Sequence, residues 1–150
     1  MKTTVSALSK ADRSEWEKLY HAYADFYNMP IDENILDTVW SWIFDSNNPF
    51  YCLIAKNQQG EPLGVMHYRE MPSPLRGATV GFLDDLFVYP EARGSGVVDA
   101  LFDALNKEAA EHGWPFVRWI TADDNYRGRS VYDKIADKTH WVTYQMSAES

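Results

Sequence analysis

Two carboxylates, Asp84 and Asp85, stand side by side inside the apolar run Ala78 to Val88. Neighbouring side chains of an extended strand point to opposite faces, so one of the two turns inward unless a bulge re-aims them. Such a pair can receive a proton, hold a cation or cap an irregular strand. Immediately downstream, Tyr89-Pro-Glu-Ala-Arg-Gly-Ser-Gly96 is a glycine-rich loop that opens a helix. The first amides of a helix lack intrahelical partners, the helix dipole adds positive character, and glycines let backbone approach a phosphate. Arg93-Gly94-Ser95-Gly96 can therefore hold a pyrophosphate, although glycine-rich turns also precede helices that bind nothing. Two rival nucleotide loops are excluded. No lysine followed by Ser or Thr comes after the glycines, and the third spaced glycine of a dinucleotide fold is missing.

The remaining reactive types are sparse. His67, in the alternating segment Val65-Met-His-Tyr68, can act as a base or touch an acceptor, or be structural. His21, His112 and His140 have no partners at metal-ligand spacing, so no metal is implied. Cys52, the only cysteine, lies in the apolar stretch Phe50 to Ala55 and reads as a buried small hydrophobe. The six tryptophans and nine tyrosines could line a pocket for a cation, with core packing as the default.

These groups must be positioned by the elements around them. Thr3 to Leu8 reads as a short first strand, and Ser9 with Asp12 resembles the start of a capping box. Trp16, Leu19, Tyr20, Tyr23, Phe26 and Tyr27 then recur at helical spacing up to the breaker Asn28-Met-Pro30. A second helix is expected over 32–45, with Ile35, Val39, Trp42 and Ile43 on one side. Phe50 to Lys56 and Leu63 to Glu70, joined by a turn at Asn57-Gln-Gln-Gly60, form a hairpin. A loop with Pro72, Pro74 and Gly77 leads to the strand Ala78 to Val88. Val97, Leu101, Leu105 and Ala109 keep a four-residue spacing in the helix that Gly113 and Pro115 stop. Phe116 to Ala122 is expected as a strand, Asn125 to Ala136 as a helix, and Trp141 to Met146 as a final strand. The order is mixed α/β with a mostly antiparallel first half.

A chain of 150 residues is the size of one domain, and 45% hydrophobic with 24% charged residues suits a globular core. No segment approaches the roughly 18 uninterrupted apolar residues of a membrane span. The start, Met-Lys-Thr-Thr-Val-Ser, shows no secretory pattern, and a cytoplasmic address is expected. A net charge of -8 argues against a nucleic-acid partner and favours encounter with cationic small molecules or basic peptides.

Arg93-x-x-Gly96-x-Val98 resembles the Gln/Arg-x-x-Gly-x-Gly/Ala loop of the GNAT N-acetyltransferases, with Val98 where the family has a small residue. Phe82-Leu-Asp-Asp-Leu-Phe-Val88 stands where that family has its central strand. Some thirty residues on, Asn125-x-x-Gly128-x-x-Val131-Tyr132-x-Lys134 is similar to the family's Asn-x-x-Ala-x-x-Leu-Tyr-x-Lys helix. The likeness covers nearly the whole chain and is nearest the branch of spermidine/spermine and yeast Hpa-type acetyltransferases.

The resemblance implies a mixed, splayed β-sheet flanked by helices. It also implies transfer of an acetyl group from acetyl-CoA to a primary amine, on a polyamine, a lysine-like side chain or an amino acid. Acetyl-CoA would lie along Leu86, Phe87 and Val88 and on the loop Arg93, Gly94, Ser95, Gly96, Val97 and Val98, with Asn125 bonding the pantetheine amides. An alkyl ammonium of pKa ~10.4 must lose a proton before it attacks, and Asp84, or after it Asp85, is the expected acceptor. Tyr132 stands where the family places the donor to the departing thiolate. A homodimer is the family's habit. Two other readings stay open: a CoA-binding sensor without turnover, suggested by Val98, and a structural dimerisation domain suggested by the aromatic first helices.

Overall fold

The computed structural model describes residues 2–148 and falls into two compact units that meet in the sequence between Trp119 and Ile120. In the first unit the order is β1 (Thr4–Ala7), α1 (Arg13–Phe26), α2 (Glu33–Phe44), β2 (Phe50–Lys56), β3 (Pro62–Ser73), β4 (Ala78–Val88), α3 (Val97–His112) and β5 (Val117–Arg118). The second unit contains α4 (Tyr126–Ile135). Among the described residues no helix is long and apolar enough to cross a membrane.

The expected capping box closes a short 3-10 turn, Lys10–Asp12, that leads into α1. The Asp12 carboxylate accepts from the Ser9 amide at 2.9 Å and from its hydroxyl at 3.1 Å. It also receives the Lys56 ammonium of β2 at 2.5 Å, which ties the start of α1 to the sheet. The first four strands pair antiparallel in chain order and β5 joins β4 in parallel, giving a five-stranded mixed sheet.

Period-two alternation sends opposite residues of each strand into two cores. On one face Cys52, Ile54, Val65 and Phe87 meet Trp16 and Leu19 of α1 and Leu36 and Val39 of α2. On the other, Leu53, Met66, Tyr68 and Leu83 meet Val97, Leu101 and Leu105 of α3. The C-terminal stop of α3 is as expected: Gly113 takes φ 74° and the Trp114 amide bonds back to the Ala109 carbonyl at 2.9 Å. The returning Trp114 ring lies against Gly81 of β4, where an added Cβ would come within 2.6 Å of it.

Four expectations are corrected. The buried line of α2 runs through Leu36 and Val39, while Ile35 and Trp42 are exposed, so the apolar face is rotated from the expected one. Strand β3 continues past Glu70 through Pro72, and the pairing of residues 70–73 with β4 replaces the expected loop. The strand expected over 116–122 shortens to β5, because only Gly81 and Phe82 of β4 find partners there. Finally, residues 137–148 adopt neither helix nor strand, so the apolar segment Trp141 to Met146 adds no strand to the sheet.

Candidate active site

The adjacent carboxylates are placed by an irregularity in β4. Arg69 faces Phe82 and Tyr68 faces Leu83, but the next residue back on β3, His67, faces Asp85. Asp84 is therefore the extra residue of a β-bulge, the alternative that the alternation rule left open. The bulge turns both aspartates to the α1/α2 face of the sheet. Asp84 Oδ2 lies 3.1 Å from Arg69 Nε, and Asp85 Oδ2 lies 2.9 Å from His67 Nδ1. Arg69 and His67 are two residues apart on β3 and so share that face.

The two carboxylates have different surroundings. Burial raises the Asp84 pKa above the usual aspartate value, and the neighbouring Asp85 charge adds to this. Arg69 pulls it back without cancelling the rise. The Arg69 guanidinium itself stacks on the Phe82 ring, 4.8 Å from its centroid, and its side chain stays 47% exposed. Asp85 bonds His67, and its charge acts on the nearby Tyr23 phenol. His67 is fully buried, and its Nε2 receives the indole N–H of Trp16 at 2.9 Å. Burial, followed by the charges of Asp85 and Asp84, pushes the Tyr20 phenol up to about 12. Tyr23 is raised further for the same reasons, burial first and Asp85 next. Both phenols are thus donors at any physiological pH.

A second feature lies along the edge of β4 away from β3. Tyr89 donates its amide to Leu63 of β3, so by alternation the peptide groups of Val88 and Leu86 turn outward. Among the described residues no strand pairs with this edge beyond Phe82. The Val88 carbonyl accepts from Arg93 Nε at 3.2 Å, leaving the Leu86 peptide group and the Val88 amide to meet an amide-bearing chain laid alongside. Phe87 differs from the expectation: its peptide groups face Val65 within the sheet and its side chain is buried near Tyr23.

The loop after β4 has the form expected of a phosphate cradle. Gly94 and Gly96 both have left-handed φ, 81° and 88°, and a Cβ at either would meet nothing within 4 Å. That space is open above the α3 N-terminus, where the amides of Val97, Val98 and Asp99 precede the first intrahelical bond, from Ala100 to Gly96 at 3.0 Å. Ser95 turns its hydroxyl back to the Ala92 carbonyl, which tightens the turn. Val97 is buried, and the Val98 side chain packs against the α3-side core. The residues present fit a pyrophosphate. Among the described residues, no group of three His, Cys, Asp or Glu side chains could hold a metal ion.

In the second unit, Asn125 caps α4. Its Oδ1 accepts from the Gly128 amide at 3.2 Å and its Nδ2 donates to Thr121 Oγ1 at 2.9 Å. Tyr132 lies one turn before the end of this helix, its carbonyl accepting from the Ala136 amide.

Trp16, Tyr20 and Tyr23 read as a core stripe in the sequence, and Arg69 drew no reading at all. The available signal was spacing: Arg69 follows His67 by two residues in an alternating strand, which places both side chains on one face.

Comparison with known proteins bears on the same residues. The profile of the acetyltransferase (GNAT) family matches residues 16–136. The D-amino-acid N-acetyltransferase HPA3 of Saccharomyces cerevisiae is 28% identical over 142 residues, covering 94% of this chain and 88% of that protein. A ribosomal-protein-alanine N-acetyltransferase from Brucella melitensis biovar Abortus 2308 superposes with a TM-score of 0.81 at 23% identity, over 99% of this chain and all of the other. The aminoglycoside antibiotic 6'-N-acetyltransferase AAC(6')-Ih from Acinetobacter baumannii gives 0.81 at 19% identity, with the same coverage. At these identities the two structures establish a shared fold.

Proposed function

The chain belongs to the acetyltransferase (GNAT) family, and from that premise we propose that it acetylates the amino group of a zwitterionic acceptor, an amino acid, by direct attack on bound acetyl-CoA. The observation that carries this reading is the bulge, which sets two carboxylates and one half-exposed guanidinium on a single face. An ammonium group suits the Asp84/Asp85 pair, and a carboxylate on the same α-carbon suits Arg69. The yeast relative, a D-amino-acid N-acetyltransferase, supports the same acceptor class.

The acetyl donor would lie with its pantetheine amides along Leu86 and Val88 and its pyrophosphate on the Gly94–Val98 amides. Asp84 receives the ammonium proton, for which its raised pKa is suited. The freed nitrogen attacks the thioester carbonyl, a C–N bond forms, the C–S bond breaks to release CoA as a thiolate, and the second proton shed by the nitrogen as the amide forms neutralises that thiolate to the thiol. Tyr132 carries the donor role that the family motif gives it. Proton transfer from an unperturbed phenol to a thiolate is uphill by roughly 2 kcal/mol, so hydrogen bonding during departure suffices.

The packing of Val98 into the core counts against the sensor reading, since its side chain turns toward the core and not into the loop. A homodimer accords with the family resemblance, and the unpaired segment Trp141 to Met146 is the part of the chain suited to add a strand to a second copy.

A panel assay of CoA release tests the acceptor. Amino acids, their decarboxylated amines and a no-amine control are compared, and amino acids should give the highest kcat/KM. CoA binding without release under any acceptor would establish a sensor instead.

A further inference from the structure

We infer that Trp16 and His67 act as positioning residues for the acceptor carboxylates, the indole fixing which imidazole nitrogen carries the proton and so which atom is presented to Asp85. An indole N–H is a donor only, so the contact from Trp16 Nε1 to His67 Nε2 makes Nε2 an acceptor. In the neutral ring the proton then lies on Nδ1, which faces Asp85 Oδ2 at 2.9 Å and donates to it. Both His67 and Trp16 are fully buried, so neither group can exchange its partner for water. The order of donation runs from Trp16 in α1 to His67 in β3 and on to Asp85 in β4.

This arrangement bars His67 from the role of base that its residue type invites. Its acceptor nitrogen is covered by Trp16 and its other nitrogen already carries a proton. Of the rest of its surroundings only Asp84 brings a further charge to bear on it: Tyr20 of α1 lies with its ring 5.1 Å away, Phe50 of β2 at 5.7 Å, and Cys52 of β2 is its cross-strand partner. Asp84, beside Asp85, is paired with Arg69. If Asp84 takes the acceptor's proton, as proposed above, the charge of Asp85 at a fixed place beside it is what Trp16 ultimately secures.

The inference has a direct spectroscopic reading. In ring-15N-histidine spectra of the full-length enzyme at pH 7.5, His67 should be protonated at Nδ1 and bare at Nε2. In Trp16→Phe the ring loses its donor, and protonation at Nε2 should appear in part of the population. Turnover of this variant should fall by about tenfold or more while the KM for the amine rises by less than that, because Asp84 and Arg69 still meet the acceptor and only the placement of Asp85 is released. His67→Gln can accept from Trp16 and donate to Asp85 through one amide, and should recover most of the turnover that His67→Leu loses.

Where Trp16→Phe does not fold, the wild-type spectrum and the Gln/Leu comparison decide. Wild-type His67 protonated at Nε2, or equal turnover in the Gln and Leu variants, overturns the assignment. Activity unchanged at every pH in Asp84→Asn would remove the base assignment and leave the tautomer result standing, so the two failures are distinguishable.

Discussion

Replacing Asp84 with Asn removes the charge that the acceptor's proton needs and little else. The Arg69–Asp84 pair is about half exposed on its cationic side, so its loss should cost no more than about 1 kcal/mol of stability. The effect on turnover is far larger. At pH 7.4 an alkyl ammonium of pKa ~10.4 is neutral in only about one molecule in a thousand, which bounds the benefit of a bound base at roughly three decades. General-base contributions of 10²–10⁴ are of the same order. The expected loss in kcat with a lysine-like test amine is therefore about 100- to 1,000-fold at pH 7.4. Activity should then recover about tenfold per pH unit toward pH 10, as the amine arrives already neutral.

The assay is thiol release from acetyl-CoA at saturating amine between pH 6 and 10, with unfolding midpoints measured in parallel. Asp85→Asn is the comparison. It should lower turnover without the recovering slope, since its carboxylate is engaged by His67. An Asp84→Asn enzyme with wild-type rate at pH 7.4, or with a wild-type slope, refutes the reasoning.

Arg69→Gln should raise the KM for an amino acid roughly ten- to a hundredfold, the worth of about 1.5–3 kcal/mol for a charged hydrogen bond, and leave the KM of the decarboxylated amine within about threefold. Gly96→Ala meets no steric obstacle, so its penalty is the left-handed backbone at φ 88°, about 1–2 kcal/mol, read as a lower Tm together with weaker CoA binding by calorimetry. Stability should also depend on Asp12. Burial alone would raise its pKa, but Lys56 and the Ser9 amide and hydroxyl bring it below the ordinary value, so the stabilisation is present above about pH 4 and lost as pH falls through the lower folded-state pKa. Lys56→Met should cost about 1–3 kcal/mol in denaturant melts at pH 7, and the difference from wild type should shrink at pH 3.

Features encoded within a few residues were legible in the sequence. Ser9 with Asp12 announced the start of α1, Gly113 its counterpart at the end of α3, and Arg93 to Gly96 a loop whose glycines do take left-handed φ. Asp84 beside Asp85 posed the right question, but the answer depended on the register of β3, which no local pattern encodes. The same limit applies to Trp16 and His67, joined across 51 positions of sequence. In α2 both Ile35/Trp42 and Leu36/Val39 fit a helical period, and only the position of β2 selects the second pair. The segment Trp141 to Met146 has the composition of a strand, yet a strand exists only where a partner edge is offered.

The bulge also makes β4 tolerant of a change that strands seldom survive. With Asp84 excised, Phe82, Asp85 and Phe87 would still turn to the α1/α2 face, and Leu83, Leu86 and Val88 to the α3 face, because the strand would return to plain alternation. Inserting or deleting a residue in a regular strand inverts everything beyond it. Here the extra residue is one of the two carboxylates itself, so the acidic pair is carried by a residue that neither hydrophobic core needs for its register.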